Sequence, residues 1–346
     1  MKPAQVHDTY LNLGLRKSNI TGKYDKDCIF TVKSNCSIII EGNPGSGKTV
    51  LCGQIMAQMP HRNMLIVDYN GEHYYRLRQI PVNAKRRSWF LPEIYNAQFP
   101  AISPVELTRY DLVSLNLAEG GAIVMQQLLK MPDLTWEKMQ KAIIALPVDI
   151  KDLVPWNVKN KLAFQSTINR YTKQSLITKL PVLEEIFGHY GIQYNIPAIW
   201  KKRRQVCIDF NFSSMNEAAI LRSRLYLGKY LEKIWPYLHQ FSPVFVIEEA
   251  KIPWPRLAES EGIFKSYDRL NSLQLHQRRR TGSMIIAVIQ NYNHISLSIQ
   301  DTYDWRIKHQ FTDKANNRYF VIGDMNFFNN EGRGRHAYFK VHNIEY

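Results

Sequence analysis

The chain has few cysteines, no long apolar run and a deficit of acidic residues. Its four cysteines show no C-x-x-C spacing, so the sequence predicts reduced, mostly buried thiols and no zinc site or disulfide framework. The longest wholly apolar run near the end, Met284–Ile289, is too short to span a bilayer, and residues 1–5 lack the apolar core of a signal peptide. We therefore expect a cytoplasmic chain without a membrane segment.

The charge balance is strongly basic. Lysine and arginine total 45 against 30 acidic residues, a formal net charge of +15. Such an excess is the electrostatic footprint of a nucleic-acid binder. Anionic membrane surfaces, or a basic bias of the organism, would produce it as well.

The most informative motif is the segment Gly42–Thr49, which reads G-x-x-x-x-G-K-T after the apolar run Ile38–Ile40. Glycines let successive backbone N–H groups turn toward phosphates, Lys48 brings charge to the β- and γ-phosphates, and the Thr49 hydroxyl is a Mg²⁺ ligand. A helix beginning at Lys48 would point its positive end at the same anion. The alternative is an ordinary glycine turn between a strand and a helix. The motif predicts ATP with Mg²⁺ as cofactors, and the predicted nucleotide-binding residues are Asn43, Pro44, Gly45, Ser46, Gly47, Lys48, Thr49 and Val50.

Apolar runs and helical patterns alternate along the chain, which predicts an α/β fold with a mostly parallel sheet flanked by helices. Residues 1–35 are predicted to be an irregular N-terminal segment, and residues 36–346 a RecA-like P-loop ATPase domain of the type with an additional strand and a catalytic glutamate. A mainly helical insertion is predicted at about 81–200. Within it, helices are expected at Trp136–Leu146, Lys161–Lys173 and Val182–Tyr190.

A second motif is the run Val244–Ile247 followed by Glu248 and Glu249. Two acids at the end of a buried strand fit the metal-and-base element of ATPases: Glu248 would hold Mg²⁺, directly or through water, and Glu249 would orient and deprotonate the attacking water. Alone, an apolar run ending in acids is more often a plain strand end.

A third apolar strand, Met284–Ile289, ends in Gln290. If this strand lies between those carrying Lys48 and Glu248, Gln290 points at the γ-phosphate and senses the nucleotide; otherwise it merely closes the sheet. Just upstream, the arginines 278–280 form either a solvated basic helix end or an arginine finger for a neighbouring subunit's site.

With these motifs, the chain resembles the HerA/FtsK superfamily of hexameric DNA-pumping ATPases, which includes conjugative coupling proteins and viral packaging ATPases. Further segments carry the resemblance. Val67–Tyr74, V-D-Y-N-G-E-H-Y, looks like the D-x-x-G-E-[FY] element of HerA-like proteins. Arg306–Phe311, Gly323–Met325 and Arg335–Phe339 look like FtsK's closing strands with their G-D-M and basic-H-G-A-F signatures. In that register Arg279 matches the trans-acting arginine of FtsK. The neighbouring Arg278 and Arg280, together with Arg333 and Arg335, stay open as alternatives.

The sequence also departs from the family pattern. Glu248 stands where aspartate is usual, Asn291-Tyr292 follows Gln290 in place of Arg-Pro, and only about 35 residues precede the first strand.

The resemblance implies an ATP-driven translocase, a homo-hexameric ring with DNA held through sequence-independent backbone contacts. A nuclease, a relaxase or a capsid portal would be its partner, and a viral origin would place it at the virion. Basic residues of the insertion are candidates for DNA contact, or equally for solvated helix faces: Lys151, Lys159, Lys161, Arg170, Lys173, Lys179 and the run Lys201–Arg204. The alternative function is an ATP-binding switch or assembly adaptor of a secretion or pilus complex that moves no DNA.

Overall fold

The computed structural model describes residues 10–18, 22–33, 35–59, 62–69, 95–98, 107–108, 111–112, 117, 119–130, 135–146, 148–149, 168–188, 196–202, 205–209, 217–256, 278–300, 302–324, 327–328 and 334–341. In this part of the chain the strands are β1 (Tyr10–Lys17), β2 (Tyr24–Lys33), β3 (Ser37–Glu41), β4 (Met64–Asp68), β5 (Tyr95–Gln98), β6 (Val148–Asp149), β7 (Ile168–Asn169), β8 (Val206–Asp209), β9 (Val244–Ile247), β10 (Met284–Ile289), β11 (Trp305–Thr312), β12 (Arg318–Gly323) and β13 (His336–Val341).

The helices of the same ranges lie between these strands. They are α1 (Lys48–Ala57), α2 (Glu119–Leu128), α3 (Trp136–Ala145), α4 (Arg170–Gly188), α5 (Ile196–Lys201), α6 (Glu217–Ile234), α7 (Leu238–Phe241), α8 (Arg278–Thr281) and α9 (Leu297–Gln300). Single 3₁₀ turns occupy Trp235–Tyr237 and Tyr292–His294.

One large sheet organises the molecule, with the strand order β2-β1-β13-β12-β11-β3-β10-β9-β4-β8-β5. From β11 to β5 all neighbouring strands are parallel. From β11 to β2 the pairs are antiparallel. Connections through helices produce the parallel part, which confirms the predicted mostly parallel α/β sheet.

The central strands are buried on both faces, which is why they read as continuous apolar runs. Successive residues of a strand point to opposite faces of the sheet. Ile38 and Ile40 therefore pack on the face that α1 covers, whereas Ile39 packs on the face that the insertion helices cover. The sheet therefore separates two hydrophobic layers and fixes the rim on which the motifs lie.

The prediction of an irregular N-terminal segment is wrong, because β1 and β2 lie within residues 1–35 and join the main sheet beside β13. Leu11 and Leu13 are almost fully buried, so the segment contributes to the core. The predicted domain boundaries themselves stay predictions.

The insertion is also less purely helical than expected, because β5 extends the main sheet by pairing with β8. Helix α3 confirms the predicted helix at 136–146 within a residue. Helix α4 occupies the gap that was expected between the predicted helices 161–173 and 182–190, and it continues through Pro181. Residues 168–169 form β7 and not a helix, and residues 161–167 and 189–190 lie outside the described residues. Buried Leu176 and partly buried Leu180 anchor α4 on the core and offset the backbone hydrogen bond that proline removes.

Several candidate DNA-contacting residues of the insertion fall outside the described residues, namely Lys151, Lys159, Lys161, Arg203 and Arg204. Lys173 has a structural role, since its Nζ donates to the carbonyls of Ile144 and Leu146 at 2.7 and 2.8 Å at the end of α3. Arg170, Lys201 and Lys202 are exposed. In the described ranges, none of the helices has the length and apolar character needed to cross a bilayer.

Candidate nucleotide site

The loop between β3 and α1 has the backbone conformation that a phosphate cradle requires. Gly45 and Gly47 adopt φ of 78° and 84°, in the left-handed region that favours glycine. Gly47 caps α1, and the helix starts with the hydrogen bond from Leu51 N to the Gly47 carbonyl at 2.9 Å. The first turn of α1 contains no acidic residue, so its positive end is not neutralised locally.

Close packing is a second reason for glycine in this loop. A Cβ built on Gly42 would lie 2.9 Å from His309 Cβ and 2.5 Å from Ser46 Oγ. A side chain at Gly42 would therefore displace β11 or close the loop on itself. The sequence motif alone did not indicate that β11 rests on the loop.

Lys48 and Thr49 form the first turn of α1. Lys48 Nζ donates to the Asn43 carbonyl at 2.9 Å and therefore folds over the loop that it follows. Both side chains are half-buried, whereas Asn43, Pro44 and Gly45 are exposed. The loop is thus open to solvent at residues 43–45.

The strand order brings the three motifs to one rim of the sheet. Strand β10 lies between β3 and β9, as the sensor hypothesis required, with Ile289 beside Glu41 and Ala287 beside Ile247. Gly42 N donates to the Ile289 carbonyl at 3.3 Å, and Ala250 N donates to the Val288 carbonyl at 3.0 Å. Because the strands are parallel, their carboxyl ends share this rim, and ligands of α/β sheets bind there.

Glu248 is the buried acid of the pair, with only 3% of its surface exposed. Its backbone N–H donates to the Val67 carbonyl at 3.0 Å, which holds the end of β9 against β4. Burial, and then the nearby Glu248 charge, raise the pKa of the Cys52 thiol well above its usual value. Cys52 follows Thr49 by one helical turn, so Glu248 lies close enough to α1 for its charge to act one turn beyond Thr49.

A buried carboxylate and a threonine hydroxyl near a phosphate loop are oxygen ligands that fit Mg²⁺, which prefers one or two protein oxygens together with substrate phosphates. Within the described ranges, no group of three or more His, Cys, Asp or Glu side chains could hold a metal by itself.

Glu249 turns away from the strand in a strained conformation. Its φ is 46°, and the left-handed region costs a non-glycine residue about 1–2 kcal/mol. Gln290 Nε2 donates to Glu249 Oε1 at 3.0 Å, and Lys251 Nζ lies 3.4 Å from Oε2. Oε2 is buried and accepts no hydrogen bond from any residue that the structure describes. The carboxylate is thus held by a hydrogen bond at Oε1 and an ion pair with Lys251 at Oε2, and Oε2 still has the capacity to accept a hydrogen bond.

An ion pair between buried Glu41 and partly buried Arg306, which the sequence motifs do not predict, stabilises the rim. Arg306 on β11 donates to Glu41 Oε2 through Nε at 3.0 Å and Nη2 at 2.6 Å, and Tyr292 N donates to Glu41 Oε1 at 3.1 Å. The guanidinium also lies 4.0 Å from the Tyr292 ring centroid and 4.6 Å from that of Phe328. Removing one partner of such a pair typically costs about 3–5 kcal/mol, because the other charge stays buried. The pair ties the residue before the phosphate loop to the segment after Gln290.

The candidate fingers whose backbone the structure describes lie at the opposite rim of the sheet. Helix α8 directly precedes β10, so the Arg279 backbone is at the amino end of a strand whose carboxyl end carries Gln290. Six residues of strand span about 20 Å. Arg280 is exposed, whereas the side chains of Arg278 and Arg279 and all of Arg333 fall outside what the structure describes. Arg335 is exposed and lies near Asp324, with 3.4 Å between Nε and Oδ2.

The family segment at 67–74 is described in part. Asp68 is fully buried at the end of β4, beside Asp209 of β8 in register. Residues 70–74 lie outside the described ranges, so the G-E-H-Y portion of the motif stays a prediction.

Comparison with known proteins establishes the class of fold. No family model matches the chain, and no curated protein matches it. Among solved structures, it is similar to VirB4 of Thermoanaerobacter pseudethanolicus, at 12% identity over 90% of this chain and 87% of that chain, with a TM-score of 0.51. It is also similar to the bacterial conjugative coupling protein TrwBdeltaN70, at 14% identity over 89% of this chain and 81% of that one, with a TM-score of 0.50.

A weaker likeness, with a TM-score of 0.38, is to B204, the DNA-packaging ATPase from Sulfolobus turreted icosahedral virus, at 12% identity over 89% of this chain and 98% of that chain. At these identities it is the fold that is shared. The chain has a P-loop NTPase fold, and the predicted resemblance to HerA/FtsK-type ATPases is confirmed at that level.

Proposed function

We propose that this protein is an ATP-hydrolysing motor that translocates DNA through a ring of identical subunits, in the manner of HerA/FtsK-type transfer or packaging ATPases. The observation that carries the proposal is the hydrogen bond from Gln290 to Glu249 on the rim that also presents the phosphate loop. A glutamate held this way is the extra group that distinguishes ATPases from kinases that use the same loop.

Each residue has a role in this proposal. The N–H groups of Asn43 and of residues 45–50, together with the Lys48 ammonium, hold the phosphates. Thr49 and Glu248 would hold Mg²⁺, with Glu248 acting directly or through water. When bound, Mg²⁺ neutralises charge that develops on the β- and γ-phosphate oxygens. Glu249 Oε2 accepts a proton from the attacking water, and Gln290 holds Oε1 so that the carboxylate keeps its direction.

Gln290 also supplies a route from chemistry to motion. A γ-phosphate near Glu249 competes for the Gln290 amide, and Gln290 is two residues from Tyr292, whose N–H donates to Glu41. Loss of the γ-phosphate would therefore change the position of the segment after Gln290, and with it the Glu41–Arg306 pair and β11. This is how we expect the nucleotide state to reach the rest of the subunit.

DNA is proposed as the partner on the basis of charge and of the neighbours' functions. The net charge of +15 suits a polyanion, and TrwB is a conjugative coupling protein. A homo-hexamer with Arg279 entering the neighbour's site explains why that arginine lies on the rim away from its own phosphate loop. A nuclease, relaxase or capsid portal would be the further partner.

We expect ATP hydrolysis to be stimulated by DNA of unrelated sequences and to fall steeply with salt, because each neutralised phosphate releases counterions. Steady-state phosphate release at increasing salt, with and without DNA, measures this. The Lys48→Ala protein is the control for contaminating ATPases. Equal rates with and without DNA at low salt, in a protein shown to be assembled, would favour the adaptor function.

A further inference from the structure

Strands β11 and β12 form a hairpin that folds back over the phosphate loop. Because β11 is parallel to β3, its end at Thr312 lies on the rim of the nucleotide site, and Arg318, which pairs with Thr312, lies there too. A Cβ built on Gly47 would be 2.5 Å from Arg318 Nε and 3.1 Å from Arg318 Cζ. The guanidinium of Arg318 thus rests on the last residue of the loop.

The electrostatics agree with this position. The pKa of His309 is lowered first by its burial and then by the positive charges of Arg318 and Lys48. Both cations therefore act on the same half-buried imidazole, whose own Cβ contacts the Gly42 position. Two cations converge on the loop from different parts of the chain, next to the positive end of α1.

We propose that Arg318 is a nucleotide-binding residue that contacts the phosphate chain from within the same subunit. The inference rests on the proposed nucleotide site, and it assigns a residue that lies outside the phosphate-loop motif. Arginine suits this role, because its planar fork donates several hydrogen bonds to phosphate oxygens at once.

The position of Arg318 also selects which phosphates it contacts. Gly47 belongs to the loop backbone that cradles the α- and β-phosphates, whereas Lys48 reaches the β- and γ-phosphates. Arg318 should therefore contribute to ATP and ADP alike. An interaction that is equal in the ground state and the transition state raises affinity and leaves kcat unchanged.

The test is nucleotide binding by Arg318→Met, which removes the charge and keeps most of the aliphatic length. A hydrogen bond to a charged group implies about ten- to a hundredfold weaker binding of both ATP and ADP, with kcat largely kept. Arg318→Lys should recover part of the loss. Lys314→Ala, an exposed cation in the turn of the same hairpin, should bind like the wild type. Thermal unfolding without nucleotide establishes that each variant is folded.

The outcomes separate this inference from the proposed function. Wild-type affinity, or tighter binding, in Arg318→Met overturns the role of Arg318 while the nucleotide site stands. An equal loss of affinity for adenosine overturns the phosphate contact and places Arg318 at the base or the ribose. A wild-type protein that binds neither ATP nor ADP overturns the nucleotide site itself. If Arg318→Met fails to fold, the affinities of Arg318→Lys for ATP and for adenosine decide. Weaker binding of ATP with unchanged binding of adenosine supports the phosphate contact, and unchanged binding of both overturns it.

Discussion

An Arg279→Ala subunit should bind ATP and assemble almost normally, yet hydrolyse ATP about a thousandfold or more slowly. The reason is that a trans arginine stabilises the charge of the transition state without holding the ground-state nucleotide. Strand β10 separates Arg279 from the rim of its own phosphate loop by about 20 Å, which favours action on a neighbour. Single-turnover hydrolysis and ATP affinity, measured on the assembled protein, check both parts.

Arg280→Ala is the matched control, because Arg280 lies on the same short helix and successive helical residues point about 100° apart. It should keep activity close to that of the wild type. If Arg280→Ala is the inactive variant and Arg279→Ala the active one, the alignment with the FtsK pattern is shifted by one residue and Arg280 is the finger. If both are active, Arg333 and Arg335 become the candidates.

Mixing two inactive variants tests the action in trans. In mixed rings, an Arg279→Ala subunit supplies an intact Glu249 site, and a Glu249→Gln subunit supplies an intact Arg279. Interfaces that combine the two should restore part of the activity. If mixed rings form and restore nothing, then Arg279 acts within its own subunit or the ring needs all its sites at once.

Glu249→Gln should still bind ATP but hydrolyse it at least about a hundredfold more slowly. A general base contributes about 10²–10⁴ to rate, and the amide cannot take the proton that Oε2 would accept. Gln290 can still donate to the carbonyl oxygen of the new side chain, so the local geometry should be kept. Single-turnover hydrolysis, together with ATP binding, measures the effect.

The neighbouring acid provides the comparison. Glu248→Gln should weaken Mg²⁺ binding and raise the Mg²⁺ concentration needed for half-maximal hydrolysis, since the role of Glu248 is to hold the ion. If Glu248→Gln is instead the slower hydrolyser with Mg²⁺ binding intact, the two glutamates exchange roles. The burial of Glu248, and the lack of a hydrogen bond to Glu249 Oε2 from any described residue, favour Glu248 as the metal ligand and Glu249 as the base.

The sequence predicted the centre of the fold well because local patterns determine it. Strands β3, β9 and β10 are apolar runs buried on both faces, and each is followed directly by its predicted site residues. The sensor hypothesis for Gln290 requires β10 to lie between β3 and β9, and the strand order meets this requirement. The roles of Glu248, Glu249, Gln290 and Arg279 stay predictions.

The antiparallel part of the sheet was missed because it depends on contacts between distant segments. Strand β1 pairs with β13, more than 300 residues later. Leu11, Leu13 and Leu15 alternate as strand residues do, which was a usable signal. The pairing with β2 is irregular between Asn12 and Gly14, and a glycine within a short polar stretch argues against a strand. The reason for this glycine is tertiary, because a Cβ on Gly14 would lie 2.5 Å from the Lys340 carbonyl oxygen. Without that pairing, a short polar stretch looks irregular.

Arg318 shows the same limit within the site. It follows Asn316-Asn317, a turn by composition, and no local pattern relates it to Gly47 about 270 residues earlier. Only the fold of the β11–β12 hairpin over the loop brings the two together. The Glu41–Arg306 pair was missed for the same reason, since its partners meet through the parallel pairing of β3 with β11.

The most direct test of the account is ATP-driven displacement of streptavidin from biotinylated DNA of arbitrary sequence, on single and double strands. The assembled wild-type protein should release streptavidin only when ATP and Mg²⁺ are both present, whereas Glu249→Gln should bind the DNA and release none. Release that is no faster with ATP than without it, by a protein that is assembled, bound to the DNA and hydrolysing ATP, would contradict the motor and favour the adaptor.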